Sequence, residues 1–222
     1  MGEPPSQEGD LGAIRAAFGC GPALAGTIAA MARGSAHDRG ALLWPLPDRD
    51  ETSLLTAGAA QEVAYGRDGA MLVLLPIAPG DFYGALVAPD VDAARVEALS
   101  DGAAAHFSGA AVIRLMESYS CVGVAITRHL AGRLATMRQR MVEAAMLSAT
   151  GRVASELLRR ARHAPDRVIR PMPVFAELAV SVQSTRETVS RTVSQWEKRG
   201  LVRRVDGGLE VVAPHRLEEL VY

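Results

Sequence analysis

Residues 174–212 read VFAELAVSVQSTRETVSRTVSQWEKRGLVRRVDGGLEVV, and no other stretch carries so clear an architectural signal. Val174 to Ser181 has the length and apolar spacing of one short helix. A tight turn at Val182–Gln183 follows. Thr185 to Arg199 then reads as a second helix, with Val189, Val193 and Trp196 at i, i+4 and i+7 as its buried face. Gly200 stops it as a C-cap residue. Leu201 to Val205, the turn Asp206-Gly207-Gly208 and Leu209 to Val212 carry a β-hairpin signature. Two short helices, a sharp turn and a trailing hairpin make a winged helix-turn-helix.

In such a motif the N-terminal residues of the second helix meet base edges in the major groove. Here they are Ser184, Thr185, Arg186, Glu187, Ser190 and Arg191. A guanidinium can donate two parallel hydrogen bonds to guanine O6 and N7, and a carboxylate can accept from cytosine N4. Ser and Thr at a helix start can hold phosphate together with exposed backbone N–H groups. Ser184-Thr185-Arg186-Glu187 also spells a capping box, in which Glu187 folds back onto the backbone of Ser184. Arg186 and Arg191 point outward under either reading.

Upstream, Leu147 to Arg162 is amphipathic, with Val153, Leu157, Leu158 and Ala161 on one face. From about Ala110 to Ala145 the pattern stays helical. Ile126, Leu130, Leu134, Met137, Met141 and Ala144 recur at heptad spacing. So narrow a stripe suits the same helix of a second subunit; packing on the chain's own N-terminal module is the alternative. Gly123 and Gly132 each cost roughly 1 kcal/mol relative to Ala, so tertiary contacts must hold this helix. Between Gly40 and Ser108 the texture is different. Short runs (Ala41–Trp44, Glu62–Tyr65, Met71–Leu75, Ala94–Leu99) alternate with Gly and Pro, as in an all-β roll or barrel. Residues 11–33 predict short helices broken at Gly19, Gly21 and Pro22, and residues 1–10 a frayed tail.

Composition narrows the function. The chain has 222 residues, 49% apolar and 22% charged, which excludes wholesale disorder. No apolar run approaches the ~18–20 residues of a bilayer span, and no secretory signal is evident, so a cytoplasmic protein without membrane contact is expected. The net charge of −1 conceals an asymmetry: residues 1–110 sum to −8 and residues 111–222 to +7. An acidic module is joined to one suited to a polyanion. Only two cysteines, Cys20 and Cys121, are present, too few for an iron–sulfur cluster and a hundred residues apart. The five histidines lack ligand spacing, so no metal site or cofactor is expected. Nucleophile elbows, Walker loops and dinucleotide fingerprints are absent, which leaves an enzyme reading without residues.

Leu147-Ser148-Ala149-Thr150-Gly151-Arg152-Val153-Ala154, with Thr185-Arg186-Glu187-Thr188-Val189-Ser190-Arg191, resembles the cyclic-AMP receptor protein/FNR (Crp/Fnr) family of bacterial transcription regulators. The resemblance is close over Met141–Val212 and weaker over residues 40–140, where Pro79-Gly80-Asp81-Phe82-Tyr83-Gly84 is similar to the turn before the family's phosphate-binding segment. It implies an α+β chain: a cyclic-nucleotide-binding-like β-roll sensor (residues 1–115, with a helical segment at its start), a central dimerisation helix (116–146) and a winged helix-turn-helix (147–222). The dimer seam would be Ile126, Leu130, Leu134, Met137 and Met141.

The sensing half departs from the family pattern. Its effector positions map to Gly84, Ala85, Asp92, Ala93, Met137 and Arg138, with Arg95 the one nearby base if the register shifts. Members that bind cyclic AMP have Glu where this chain has Ala85, Arg where it has Asp92, and Ser or Thr where it has Ala93. Losing three or four charge-assisted contacts, at ~1.5–3 kcal/mol each, removes the usual route to cyclic AMP. The leading expectation is a homodimeric regulator that binds double-stranded DNA at a pseudo-palindromic operator, with G·C pairs of a TGTGA-like half-site implied by the resemblance. RNA polymerase is a candidate partner, and a small-molecule effector is unidentified. Two alternatives stay open: a receptor for another cyclic nucleotide with rearranged phosphate contacts, and a protein-interaction module that has lost DNA binding.

Overall fold

The computed structural model describes residues 7–45, 51–67, 69, 71–84, 94–164 and 166–221. The chain divides into two compact units, Met1–Met137 and Arg138–Tyr222.

The first unit opens with α1 (Gln7–Phe18) and α2 (Pro22–Ala30). Gly19 ends α1 at φ +57°, a conformation that suits glycine, and Pro22 starts α2 where no N–H is needed. Part of the predicted tail is thus helical, because α1 begins at Gln7. Among the described residues eight antiparallel strands follow: β1 (Arg33–His37), β2 (Leu42–Trp44), β3 (Glu51–Ala57), β4 (Ala60–Tyr65), β5 (Met71–Ile77), β6 (Phe82–Gly84), β7 (Ala94–Ala98) and β8 (Gly102–Ser108). They form two four-stranded sheets, ordered β1-β8-β3-β6 and β2-β7-β4-β5.

Alternating side chains of the first sheet serve two cores. Leu54, Ala105 and Phe107 pack with Ile14 and Phe18 of α1 and Ile28 of α2. Leu55 and Ala104 face the other way, towards Ile77 and Val96 of the second sheet. β5 runs past the expected Met71–Leu75 and through Pro76. The strand lies at the edge of its sheet, where a missing N–H is tolerated.

The single helix expected from Ala110 to Ala145 is two helices, α3 (Gly109–Ser118) and α4 (Ser120–Met146), bent by 120°. Tyr119 breaks the run with an extended backbone (φ −135°, ψ 105°), its N–H still donating to the Leu115 carbonyl at 2.9 Å. Ala111, Val112 and Leu115 bury α3 against the roll, and Val122 and Ile126 do the same for the start of α4. No single helix among the described residues is long and apolar enough to cross a membrane.

The second unit holds the rest of α4 and then α5 (Ala149–Arg162), β9 (Val168–Ile169), α6 (Phe175–Ser181), α7 (Arg186–Lys198), β10 (Val202–Val205), β11 (Gly208–Val211) and α8 (Pro214–Glu218). Its core joins Val153, Leu157, Leu178, Val189, Val193, Trp196, Leu209 and Leu217. Each such side chain contributes about 1.5–3 kcal/mol on burial. The amphipathic face read on α5 and that read on α7 are therefore the faces buried. The hairpin gains a third strand, since β9 pairs with β11 through Leu209↔Ile169 and Glu210↔Val168.

Candidate nucleic-acid interface and sensor cleft

The N-terminus of α7 is set by a turn that the backbone alone would not favour. Gln183 sits in the left-handed region at φ +51° without being glycine. Arg152, on α5, holds the turn in place. Its Nε donates to the Val182 carbonyl at 2.8 Å, its Nη2 to Gln183 O at 3.1 Å and its Nη1 to Leu147 O at 2.8 Å. One planar guanidinium thus ties the start of α5 to the α6–α7 turn.

From that turn, Thr185 caps α7, its hydroxyl accepting from Thr188 N–H at 3.1 Å. The cap is one residue later than the sequence suggested, so the Ser184–Glu187 capping box is not formed. Glu187 pairs instead with Arg191, one helical turn on. Both are well exposed, at 79% and 64% for their side chains. Such a pair contributes about 0–1 kcal/mol, little enough to be exchanged for contacts with a base. Arg186, Glu187 and Arg191 are exposed, Ser184 and Ser190 half-buried, while Val189, Thr192, Val193 and Trp196 face the core. The helix therefore presents a polar, cation-bearing edge beside the free N–H groups of its first turn.

Arg204, which the sequence reading left without a role, belongs to this surface. It lies over the Phe175 ring at 5.9 Å, pairs with Glu197 at 3.3 Å and shares the rim of a shallow depression with Arg186 and Val174. Its neighbour Arg203 is tied to Glu210 across the hairpin at 2.7 Å.

In the first unit, a cleft of about 130 Å³ lies between the roll and the start of α4. Trp44, Phe82, Tyr83, Val96, Ile126 and Leu130 give it apolar walls, and Glu62, His129 and Arg133 its polar ones. Glu62 and Arg133 form an ion pair within it, and Arg133 Nη1 also donates to the Phe82 carbonyl at 3.3 Å. His129 packs edge-on to Phe82 and takes part in hydrogen bonding to its backbone at 3.3 Å. Burial holds the His129 imidazole below its ordinary pKa, against the opposing pull of Asp81, and Arg133 adds to the lowering. Burial likewise pushes the Tyr83 phenol up to about 12.

Several of the effector positions taken from the sequence lie elsewhere. Of α4, Ile126, His129, Leu130 and Arg133 line the cleft, not Met137 or Arg138, because α4 faces the roll only over its first turns. Arg95 stacks on the Tyr65 ring at 5.7 Å, outside the lining. Gly84 does line it, but a Cβ there would stand 2.5 Å from the Glu51 carbonyl, and its φ is +86°; close strand packing is reason enough for glycine. Ala85, Asp92 and Ala93 lie outside the described residues. Glu62 and Arg133 went unread because they meet only through the fold, 71 residues apart.

On α4, Leu130 and Leu134 are each 58% exposed, Met141 is 70% exposed, and Met137 is exposed as well. Ile126 is not part of that open row. It is buried against the roll, the outcome weighed against a dimer contact for the stripe as a whole.

Residues 151–220 match the family model described as the Crp-like helix-turn-helix domain. The second unit thus carries a Crp-like helix-turn-helix domain. In chain order, a β-sheet domain, a long helix and this helix-turn-helix domain follow one another. Solved structures share the fold over most of the chain. FixK2 from Bradyrhizobium japonicum is 19% identical, with 86% of this chain and 98% of that one covered at a TM-score of 0.73. A CooA variant from Carboxydothermus hydrogenoformans is 16% identical, covering 88% and 90% at 0.76. CLP of Xanthomonas campestris, described as responsive to c-di-GMP, is 20% identical, covering 84% and 98% at 0.70. No curated protein matches the chain.

Proposed function

We propose that this chain is a transcription regulator of the Crp/Fnr type that acts as a homodimer on a pseudo-palindromic operator, reading base edges with Arg186 and Arg191. The observation that carries the reading is the edge of α7: two exposed guanidinium groups stand at the start of a helix whose opposite face is locked into the core. Ser184, Thr185 and Ser190 would hold phosphate, and Glu187, once released from Arg191, can accept from a cytosine amine. The exposed row Leu130, Leu134, Met137 and Met141 would be covered by the same row of a second copy, giving half-sites about 10–10.5 bp apart.

The sensor does not take cyclic AMP by the usual route. Arg133, the cation in the described lining of the cleft, is already matched by Glu62, so a cyclic phosphate entering there would meet a carboxylate and, among the described lining residues, no spare guanidinium. The cleft is also smaller than the roughly 300–1,000 Å³ of ordinary ligand pockets. Selection of bound DNA from a random pool by the purified protein, with and without cyclic AMP, cyclic GMP and cyclic di-GMP, tests both parts. A two-fold symmetric motif that is independent of cyclic AMP supports the proposal. No enriched motif, or one that requires cyclic AMP, contradicts it.

A further inference from the structure

The chain's two cysteines are separated by a hundred residues, yet both pack against one hydrophobic cluster. Cys20 follows Gly19 at the end of α1, and Cys121 lies in the first turn of α4, just past the break at Tyr119. Both are partly buried and pack against the same hydrophobic cluster, formed by Phe18, Ala25, Val112, Leu115, Val122 and neighbouring side chains. Neither is sealed from solvent. Both stand at element ends, and a disulfide between them would hold the sulfurs ~2.05 Å apart.

We propose that Cys20 and Cys121 are a redox-active dithiol that a hydroperoxide closes to an intramolecular disulfide. In the first step a Cys121 thiolate attacks one peroxide oxygen. The O–O bond breaks, an alcohol (or water) leaves with the proton, and Cys121 becomes a sulfenic acid. The Cys20 sulfur then attacks the Cys121 sulfur, the S–O bond breaks, and water departs with the Cys20 proton. Two thiols are oxidised by two electrons and one peroxide is reduced, so the sum is disulfide, alcohol and water.

The order of attack follows from the surroundings. Burial raises the Cys20 thiol above its ordinary pKa, and the neighbouring Cys121 raises it further, against a smaller lowering by Arg15. Cys20 therefore keeps its proton while Cys121 attacks, which suits a resolving thiol. The position is consequential as well. Nine residues, about two and a half helical turns, separate Cys121 from Leu130, so the thiol lies on the face of α4 opposite Leu130 and stays open in a dimer built on that row. Closing the bond would tether the root of α4 to the α1–α2 turn.

The test is hydrogen peroxide treatment of the full-length protein under native conditions, quenching with an alkylating agent, and intact-mass and peptide analysis. The expected product has lost two hydrogens, resists alkylation at both cysteines, yields a peptide joining Cys20 to Cys121, runs without covalent dimer on a non-reducing gel, and reverts with a phosphine. Cys20→Ser and Cys121→Ser should each abolish it, as should the smaller apolar Cys20→Ala and Cys121→Ala. Oxygen adducts on separate, still unlinked cysteines, covalent dimers, or thiols that both remain alkylatable would each overturn the proposal.

Discussion

Replacing Arg152 by Ala removes three N–H···O=C contacts in a single substitution. Their worth depends on what the freed carbonyls find. Val182 is buried, so its carbonyl is left without a ready partner, at ~1–3 kcal/mol. Gln183 is exposed and Leu147 half-buried, so those two carbonyls recover water, and the net loss is about 0.5 kcal/mol each. The sum is about 2–4 kcal/mol, taken from a unit in which each kcal/mol moves the melting temperature by roughly 4–8 °C. Thermal unfolding of Arg152→Ala should therefore show the transition of the second unit lowered by roughly 8–32 °C. Because Arg152 positions α7 without touching a base, affinity should fall alike for the selected operator and for a scrambled duplex. A variant that melts like the parent, or that loses preference at one base pair only, would refute this account of the turn.

Leu134→Glu or Met141→Glu would set like charges face to face in the proposed dimer seam, so light scattering should report a monomer at concentrations where the parent is dimeric. Glu187→Ala frees Arg191 at little cost in stability, ~0.5 kcal/mol or less, and should strengthen binding to non-specific duplex while changing the preferred bases. His129, with its folded pKa below the unfolded value, contributes stability that is present above about pH 6.5 and is lost as the pH falls; NMR of the imidazole should show it titrating below free histidine. Tyr83 runs in the other direction. Its phenol is raised to about 12, so stability held below about pH 10 is lost as the pH climbs towards 12, and ultraviolet titration should find one tyrosine ionising there.

The second unit was legible in the sequence because its elements are local and strongly periodic. Val189, Val193 and Trp196 mark the buried face of α7 without any knowledge of their partners, and Gly200 and the Asp206-Gly207 pair punctuate the chain where it turns. The roll was harder. β8 is Gly-Ala-Ala-Ala-His-Phe-Ser, buried on both faces, so it shows no polar alternation, and three successive alanines do not read as a strand. The break at Tyr119 was invisible for the same kind of reason: nothing at that residue forbids a helix, and only packing of α3 and α4 on the roll imposes the bend. Ile126 kept the heptad spacing while serving its own core. Arg152, although conspicuous in the sequence, bonds to carbonyls 30 and 31 residues away, a role that spacing cannot disclose. Glu62 with Arg133, and Cys20 with Cys121, are likewise products of topology.

The most direct test is the affinity of Arg186→Ala for the selected operator and for a panel in which each base pair of the half-site is changed in turn. Reading of a base edge predicts a loss of about 1–3 kcal/mol on the cognate site and indifference at one base pair to which the parent is sensitive. An equal loss on every duplex, with discrimination intact at all positions, would make Arg186 a phosphate contact and contradict the reading.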